Sequence, residues 1–329
     1  MLPSFLTRYE RHEKHHVFCN GRIFVGPDWR IMVMSVVFIT VGTLLFVFFT
    51  NNLMAARVIV GVSAVVSVVA LLVCGLSDPG IKPRAEPPPP DAIPHDSLWR
   101  ERVYVDKDGT PHHTRVEVKW CYRCNIYRPY RGVHCRFCDA CVTRRDHHCP
   151  WTGTCIGARN YRSYFALVWV LSIMLLAAFI GGVQSLVQRS IRFGDANAGV
   201  QDAPSGFTSA LIDTYGIELA LILLSFLFGF LSVSLAVHHS YLITQNLTSG
   251  DVTKELPENV FTYGSMMANI WVVLTGCNEE DRDDMQTEVV VMETVDEPSA
   301  ALAQSPLGHD ALCSDVVPSV GGDAGAGSA

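Results

Sequence analysis

Long apolar runs alternate with polar stretches along this chain. Four of the runs, Ile31 to Thr50, Val58 to Leu76, Tyr164 to Val187 and Leu219 to Val237, are long enough to cross a bilayer. Crossing about 30 Å of hydrocarbon as a helix takes about 20 mainly apolar residues, since no water is present there to satisfy an unpaired backbone. The pattern predicts an α-helical integral membrane protein with four transmembrane helices. The first run starts only after thirty mixed residues and lacks a short apolar core with a cleavage site, so it reads as a retained signal anchor. A short turn at 51–57 joins the first pair of helices and a loop at 188–218 the second, and the loop carries no chemistry that can be identified from its residues.

Between the pairs lies a long extramembrane stretch. Asp78-Pro79-Gly80, then Glu86 followed by four prolines, end the second helix and predict a stiff linker over 77–119. From 120 to 163 the apolar residues follow neither a helical nor a strand period, while Cys, His and Gly crowd together. Metal rather than a hydrophobic core should hold that segment.

Composition and charge add orientation. The chain is 49% hydrophobic and only 17% charged, a balance foreign to soluble proteins of its length. Lys and Arg number five in residues 1–30 and fifteen in 77–163, against one in 51–57 and two in 188–218. Cytosolic loops hold the positive excess, so the N-terminal arm, the middle segment and, with an even number of spans, residues 238–329 are expected in the cytosol. The net charge of -7 comes mainly from 278–329, whose run Glu279 to Asp284 and small-residue end read as a disordered acidic tail. The pair His238-His239, closing the fourth run, reads as an ordinary interfacial feature. So do His12, His15 and His16 in the N-terminal arm. Cys19, Cys277 and Cys313, cytosolic on this topology, are candidate acylation sites.

Seven of the eleven cysteines and three of the twelve histidines fall between 121 and 155. They run Cys121-x2-Cys124, His134-Cys135-x2-Cys138-x2-Cys141, Asp146-His147-His148-Cys149 and Cys155, with the Cys-x2-Cys step usual for zinc. A reducing cytosol argues against the competing disulfide reading. Two closed tetrahedral sites take eight donors, and the segment offers ten. If each site uses three thiolates and one imidazole, one histidine and one cysteine are left over, and the natural spares lie within Asp146-His147-His148-Cys149. A spare thiol beside an imidazole and a carboxylate is the set of a nucleophile, its base and the group that orients the base. The bland alternative is that all ten groups are structural or idle.

At Asp146-His147-His148-Cys149, followed by Pro150-Trp151 and continued by Gly157, Asn160-Tyr161-Arg162 and Phe165, the sequence resembles the DHHC family of protein S-acyltransferases. The resemblance covers roughly residues 18–277, leaving out the 188–218 loop. It includes Phe18-Cys19-x-Gly21-Arg22, Gly26-Pro27-Asp28 and Asp78-Pro79-Gly80, as in the subgroup of the yeast Ras palmitoyltransferase. The family's Thr-Thr-x-Glu motif reads Thr248-Ser249-Gly250-Asp251 here, which keeps hydroxyl and carboxylate, and the resemblance implies a polar contact of that motif with the active-site region. Its aromatic-Gly-Asn motif is matched to Tyr263-Gly264 and Asn269.

The resemblance implies a cytosolic cysteine-rich domain over 120–163, folded around two structural zinc ions. One would sit on Cys121, Cys124, His134 and Cys141, the other on Cys135, Cys138, His148 and Cys155. It further implies Cys149 as nucleophile, His147 as general base and Asp146 as its orienting carboxylate, with long-chain acyl-CoA (palmitoyl-CoA) as co-substrate. The implied partners are membrane-associated proteins with cytosolic cysteines, the bilayer and, for some members, an accessory subunit, with no nucleic acid. The implied location is a Golgi or ER membrane. A membrane-anchored zinc adaptor without chemistry is the competing class, and it leaves Asp146-His147-His148-Cys149 unexplained. Asn246-Leu247-Thr248 is a formal glycosylation sequon whose cytosolic placement argues against use.

Overall fold

The computed structural model describes residues 14–19, 22–50, 54–89, 96–129, 131–253, 259 and 261–275. His12, Gly21, Cys277, Cys313 and the acidic tail lie outside them. Four long apolar helices carry the architecture: α1 (Trp29–Phe49), α2 (Met54–Gly75), α3 (Tyr161–Ala196) and, after a short helix α4 (Gly206–Asp213), α5 (Ile217–Gln245). Their outward faces expose Met34, Phe38, Leu44 and Phe48 on α1 and Leu223, Phe230 and Val237 on α5. That is the reverse of a soluble protein and suits contact with lipid. This is a multi-pass membrane protein.

Inside the bundle, Met32, Ile39 and Phe46 of α1 pack with Val60, Ala64 and Leu71 of α2 and Leu167 and Met174 of α3. Between α3 and α5 the fit depends on small residues, because lipid tails supply no hydrophobic drive for helices to associate. A side chain at Gly182 would come within 2.7 Å of Ile222, and the Ser172 and Ser232 hydroxyls share a buried 2.9 Å hydrogen bond.

Two helices overrun the expected spans. At about 1.5 Å per residue, the 36 residues of α3 are longer than a bilayer needs. Instead of a loop after Val187, the helix continues to Ala196, where Phe193, like Leu211 of α4 and Leu219 of α5, packs against the buried cluster of Leu186, Ala210 and Ile222. Arg189 pairs there with Asp213 and with the buried Glu218, and donates to the Phe49 carbonyl at 3.0 Å. Hydropathy alone misses such an extension, since its polar side faces outward while one stripe stays apolar. Helix α5 likewise runs eight residues past Val237, carrying His238 and His239 beyond the apolar window.

Among the described residues, nine strands form the extramembrane module: β1 (His16–Phe18), β2 (Ile23–Val25), β3 (Ser97–Val105), β4 (Pro111–Cys121), β5 (Ile126–Tyr127), β6 (Val133–Cys135), β7 (Ala140–Val142), β8 (His147–Cys149) and β9 (Thr154–Ile156), the long β3–β4 hairpin occupying part of the expected stiff linker. All pair antiparallel, as β1–β2, β3–β4–β5, β6–β7 and β8–β9. Strands β5 to β9 have two or three residues each, far below what a hairpin needs to stand alone. Their buried interior is mostly sulfur, with Cys121, Cys124 and Cys141 in one cluster and Cys135, Cys138 and Cys155 with Phe24, Ile81, Ala140 and Val142 in the other.

The Asp78-Pro79-Gly80 turn fastens this module to the helices. Asp78 accepts hydrogen bonds from the Gly80 and Ile81 amides and pairs with Arg159, while the Gly80 carbonyl accepts from the Thr143 amide at 2.9 Å. Gly157 lies against it so closely that a Cβ would sit 2.5 Å from the Pro79 carbonyl oxygen, which only glycine allows.

Candidate metal and thiol site

Strand geometry sorts the residues of the site. Side chains alternate faces along β8, so His147 and Cys149 point one way and His148 the other. Antiparallel pairing sets His148 opposite Cys155, and in the neighbouring hairpin sets His134 opposite Cys141. Each pair brings an imidazole and a thiol from neighbouring strands to one place.

Two donor groups result. His134 Nδ1 lies 3.5, 3.4 and 3.9 Å from the sulfurs of Cys121, Cys124 and Cys141. His148 Nδ1 lies 3.6, 3.3 and 3.6 Å from those of Cys135, Cys138 and Cys155. A tetrahedral zinc with bonds of about 2.3 Å to sulfur and 2.0–2.1 Å to nitrogen separates such donors by about 3.5 Å, so both groups fit that ion. All nine described cysteines are free of disulfides. The groups interlace: His134 serves the first, Cys135 and Cys138 the second, Cys141 the first again. Each ligand imidazole is also held from behind, His148 Nε2 by Asp28 at 2.8 Å and His134 Nε2 by Asp139 at 3.4 Å. Such carboxylates fix tautomer and ring plane. Asp28, from the Gly-Pro-Asp segment before α1, was not among the residues given a site role by sequence.

His147 and Cys149 are left on the opposite face of β8, toward the helices. The His147 Nδ1 lies 2.7 Å from Asp146 Oδ2. Asp146, itself buried, also accepts from the Ser249 amide at 2.7 Å and the Ser249 hydroxyl at 3.0 Å. The Cys149 side chain is buried with Cys74, Tyr161, Tyr164 and Ala236. Burial opposes ionisation of all three groups. Even so, the hydrogen bond to His147 and its charge hold Asp146 down at about 2, and the bonds and charges of Asp146 and Cys149 push His147 up to about 9. The same imidazole, with help from Thr152, holds the Cys149 thiol below its ordinary value. Both shifts run in the direction that stabilises a thiolate beside an imidazolium, with the sulfur buried and the imidazole half-buried.

The residues after α5 explain the Thr248-Ser249-Gly250-Asp251 motif. Helix α6 (Ser249–Val252) opens with a capping box between Thr248 and Asp251. Asp251 forms a fully buried ion pair with Arg131, which also donates to the Asn246 carbonyl at 2.8 Å. Asn246 is itself buried and tied to Arg144 and to the Phe261 carbonyl, which leaves its sequon no room for a glycan. Asn269, on α7 (Met266–Thr275), accepts from the Tyr263 amide and donates to the Thr244 carbonyl. This clasp holds Ser249 against Asp146. Asp251→Ala removes the carboxylate that balances a buried guanidinium, and the expected cost is about 3–5 kcal/mol, read as a lower thermal midpoint and faster proteolysis after α5.

Two further residues acquire positions that sequence did not assign. Asn160, fully buried, accepts from the Gly157 amide and donates to the carbonyls of Cys74 and Cys155, joining β9 to the ends of α2 and α3. His239 is not a solvent-facing group: it is 2% exposed, and one of its ring nitrogens lies within 4.8 Å of a donor atom of Asp146 and of His147, whereas His238 faces outward. The signal was present in the inward stripe Ser225, Gly229, Ser232, Ala236, His239, Ile243, whose steps of four and three mark one helix face.

Comparison with known proteins places these features. A sequence profile described as DHHC palmitoyltransferase matches residues 114–256. The chain is similar to palmitoyltransferase ZDHHC14 of Homo sapiens, at 30% identity over 80% of this chain and 56% of that protein. It is 32% identical to palmitoyltransferase ZDHHC18-B of Danio rerio over 84% of this chain and 75% of that one. To palmitoyltransferase ZDHHC9 of Homo sapiens it is 27% identical over 94% and 90%. It spans little more than half the length of the ZDHHC14 proteins.

Proposed function

Because this chain belongs to the DHHC palmitoyltransferase family, we propose that it is a protein S-acyltransferase. It moves a palmitoyl or similar long chain from acyl-CoA to cysteine thiols of membrane-associated proteins, through a thioester on Cys149. The observation that carries this reading is the sorting of donors by β8. Eight of ten Cys and His side chains turn into two metal groups, and the two that remain, His147 and Cys149, meet Asp146 beside the membrane helices.

The chemistry follows from those groups. The Cys149 thiolate attacks the thioester carbonyl of acyl-CoA, the carbon–sulfur bond to CoA breaks, and the proton held by His147 goes to the departing CoA sulfur. His147, now neutral, takes the proton of an acceptor cysteine, whose thiolate attacks the acyl-enzyme and releases Cys149 as thiolate again. Asp146 holds His147 in the tautomer that turns Nε2 toward sulfur and stabilises the imidazolium. Cys121, Cys124, His134 and Cys141 would hold one zinc and Cys135, Cys138, His148 and Cys155 the other, each supplying a closed structural cross-link without an open position.

The membrane serves the acyl chain. At about 0.8 kcal/mol per methylene, exposing sixteen carbons to water would cost on the order of 10 kcal/mol. A thiolate buried at the mouth of the helix bundle lets the chain stay in apolar surroundings during both transfers. The excess of Lys and Arg in the middle segment supports a cytosolic active site and cytosolic termini, in an endomembrane such as Golgi or ER, with charges at hand for CoA phosphates. An accessory subunit, needed by some relatives, is part of the same reading.

The thiolate–imidazolium pair has a pH signature. Because His147 lowers the Cys149 pKa from the usual 9.0 and burial alone raises it, alkylation of Cys149 by iodoacetamide should be half-maximal below that pH. In His147→Ala the midpoint should move upward. Mass-spectrometric alkylation rates at a series of pH values check this, and a midpoint unchanged by the substitution would contradict it.

The direct test is incubation of the purified protein in lipid with radiolabelled palmitoyl-CoA. Label should appear on the peptide containing Cys149, leave with neutral hydroxylamine, and pass to an added membrane-anchored cysteine peptide. A folded, zinc-replete protein that stays unlabelled, with accessory subunits also supplied, would overturn the proposal.

A further inference from the structure

His239 is a fully buried polar ring at the end of the small-residue stripe of α5, just past its apolar window. Both of its nitrogens are engaged by α3: Nδ1 lies 3.0 Å from the Tyr161 hydroxyl and Nε2 3.3 Å from the Tyr164 hydroxyl. A neutral imidazole donates from one nitrogen and accepts at the other, so one tyrosine gives a hydrogen bond to the ring and the other receives one. The bridge therefore fixes both hydroxyls at once. The ring of Tyr164 in turn meets the edge of His147, with centroids 5.2 Å apart and planes at 69°. His147 is thus held on one side by Asp146 and on another by a tyrosine whose own position depends on His239.

We propose that His239 is a positioning residue of the acyl-transfer site, clamping Tyr161 and Tyr164 so that Tyr164 keeps the His147 ring facing Cys149. The proposal rests on the acyl-transfer reading above. It touches neither metal group, and it links the approach of α3 and α5 to the reacting pair. Loss of the clamp frees the His147 ring to turn about its bond to the backbone, which degrades the transfer step and leaves acyl-CoA binding in place.

The test compares wild type, His239→Leu and His239→Gln for the rate of acyl-enzyme formation from palmitoyl-CoA across concentrations, with zinc content and thermal midpoint measured on each. Gln carries an acceptor oxygen and a donor NH2 group and can bridge two hydroxyls as His does. His239→Leu should lower the limiting rate by about tenfold to a hundredfold, with KM for palmitoyl-CoA within about twofold and zinc unchanged. His239→Gln should recover most of the rate. Tyr164→Phe should be slow, and adding it to His239→Leu should cost little more, because the two act as one unit.

A wild-type rate in His239→Leu would overturn the clamp, as would a raised KM with an unchanged limiting rate. Equal losses in Leu and Gln that track a fallen thermal midpoint would also overturn it and assign a packing role. Absence of acyl-enzyme in wild type would instead sink the acyl-transfer reading itself.

Discussion

Cys149→Ser is expected to leave a folded, zinc-replete protein that takes no acyl group from palmitoyl-CoA and passes none on. The sulfur of Cys149 belongs to neither metal group, and it sits with Cys74, Tyr161, Tyr164 and Ala236 rather than with the ligand cysteines. Replacing sulfur by oxygen therefore changes little packing. It changes reactivity greatly, because an imidazole pushed up to about 9 stabilises a thiolate beside it but leaves a hydroxyl un-ionised in the resting protein, and the oxygen is the poorer nucleophile toward a thioester. His147→Ala keeps the nucleophile and removes its partner, so a smaller loss of about 10²–10⁴-fold is expected in the transfer rate. Hydroxylamine-released label and zinc analysis on the same samples check both expectations. A labelled Cys149→Ser protein would mean that another cysteine carries the thioester.

Cys138→Ser should behave in the opposite way, failing at folding before it can fail at chemistry. Cys138 is fully buried and lies 3.3 Å from His148 Nδ1 and 3.5 Å from the Cys155 sulfur. Around it are strands of two or three residues that cannot hold together without the metal. Structural zinc binding contributes about 10–16 kcal/mol in small zinc modules, more than the whole stability of a typical domain. Losing one thiolate is thus expected to release a zinc, expose 120–163 to proteolysis and lower expression. Removing zinc from wild type with a strong chelator should reproduce this. Metal analysis with limited proteolysis makes the measurement, and a Cys138→Ser protein with full zinc and wild-type protease resistance would show that this group does not hold the module.

The spans and the cysteine-rich frame were legible in the sequence because each rests on local information: twenty apolar residues in a row, or donors two residues apart. The structure brings the eight residues assigned by resemblance into the two expected groups, and sets Asp146, His147 and Cys149 side by side. What could not be read locally were contacts across the chain. Asp28 reaches His148, Ser249 reaches Asp146 and Arg131 reaches Asp251 over separations of more than a hundred residues. No periodicity announces such pairs. The overrun of α3 past Val187 was missed for another reason, since a hydropathy window ends where charge begins and cannot see an amphipathic stripe. His239 was missed because a histidine at the end of an apolar run looks interfacial until the three-and-four spacing of its stripe is followed inward.

Strand β8 also sets a rule of parity. Its odd and even positions look in opposite directions, one toward chemistry and one toward scaffold, so the four-residue motif from Asp146 to Cys149 is a matter of counting as well as of composition. Losing or gaining a single residue there would exchange the two sides, turning His148 toward the helices and the Cys149 sulfur toward the metal group. The length of this segment is therefore as constrained as its residues.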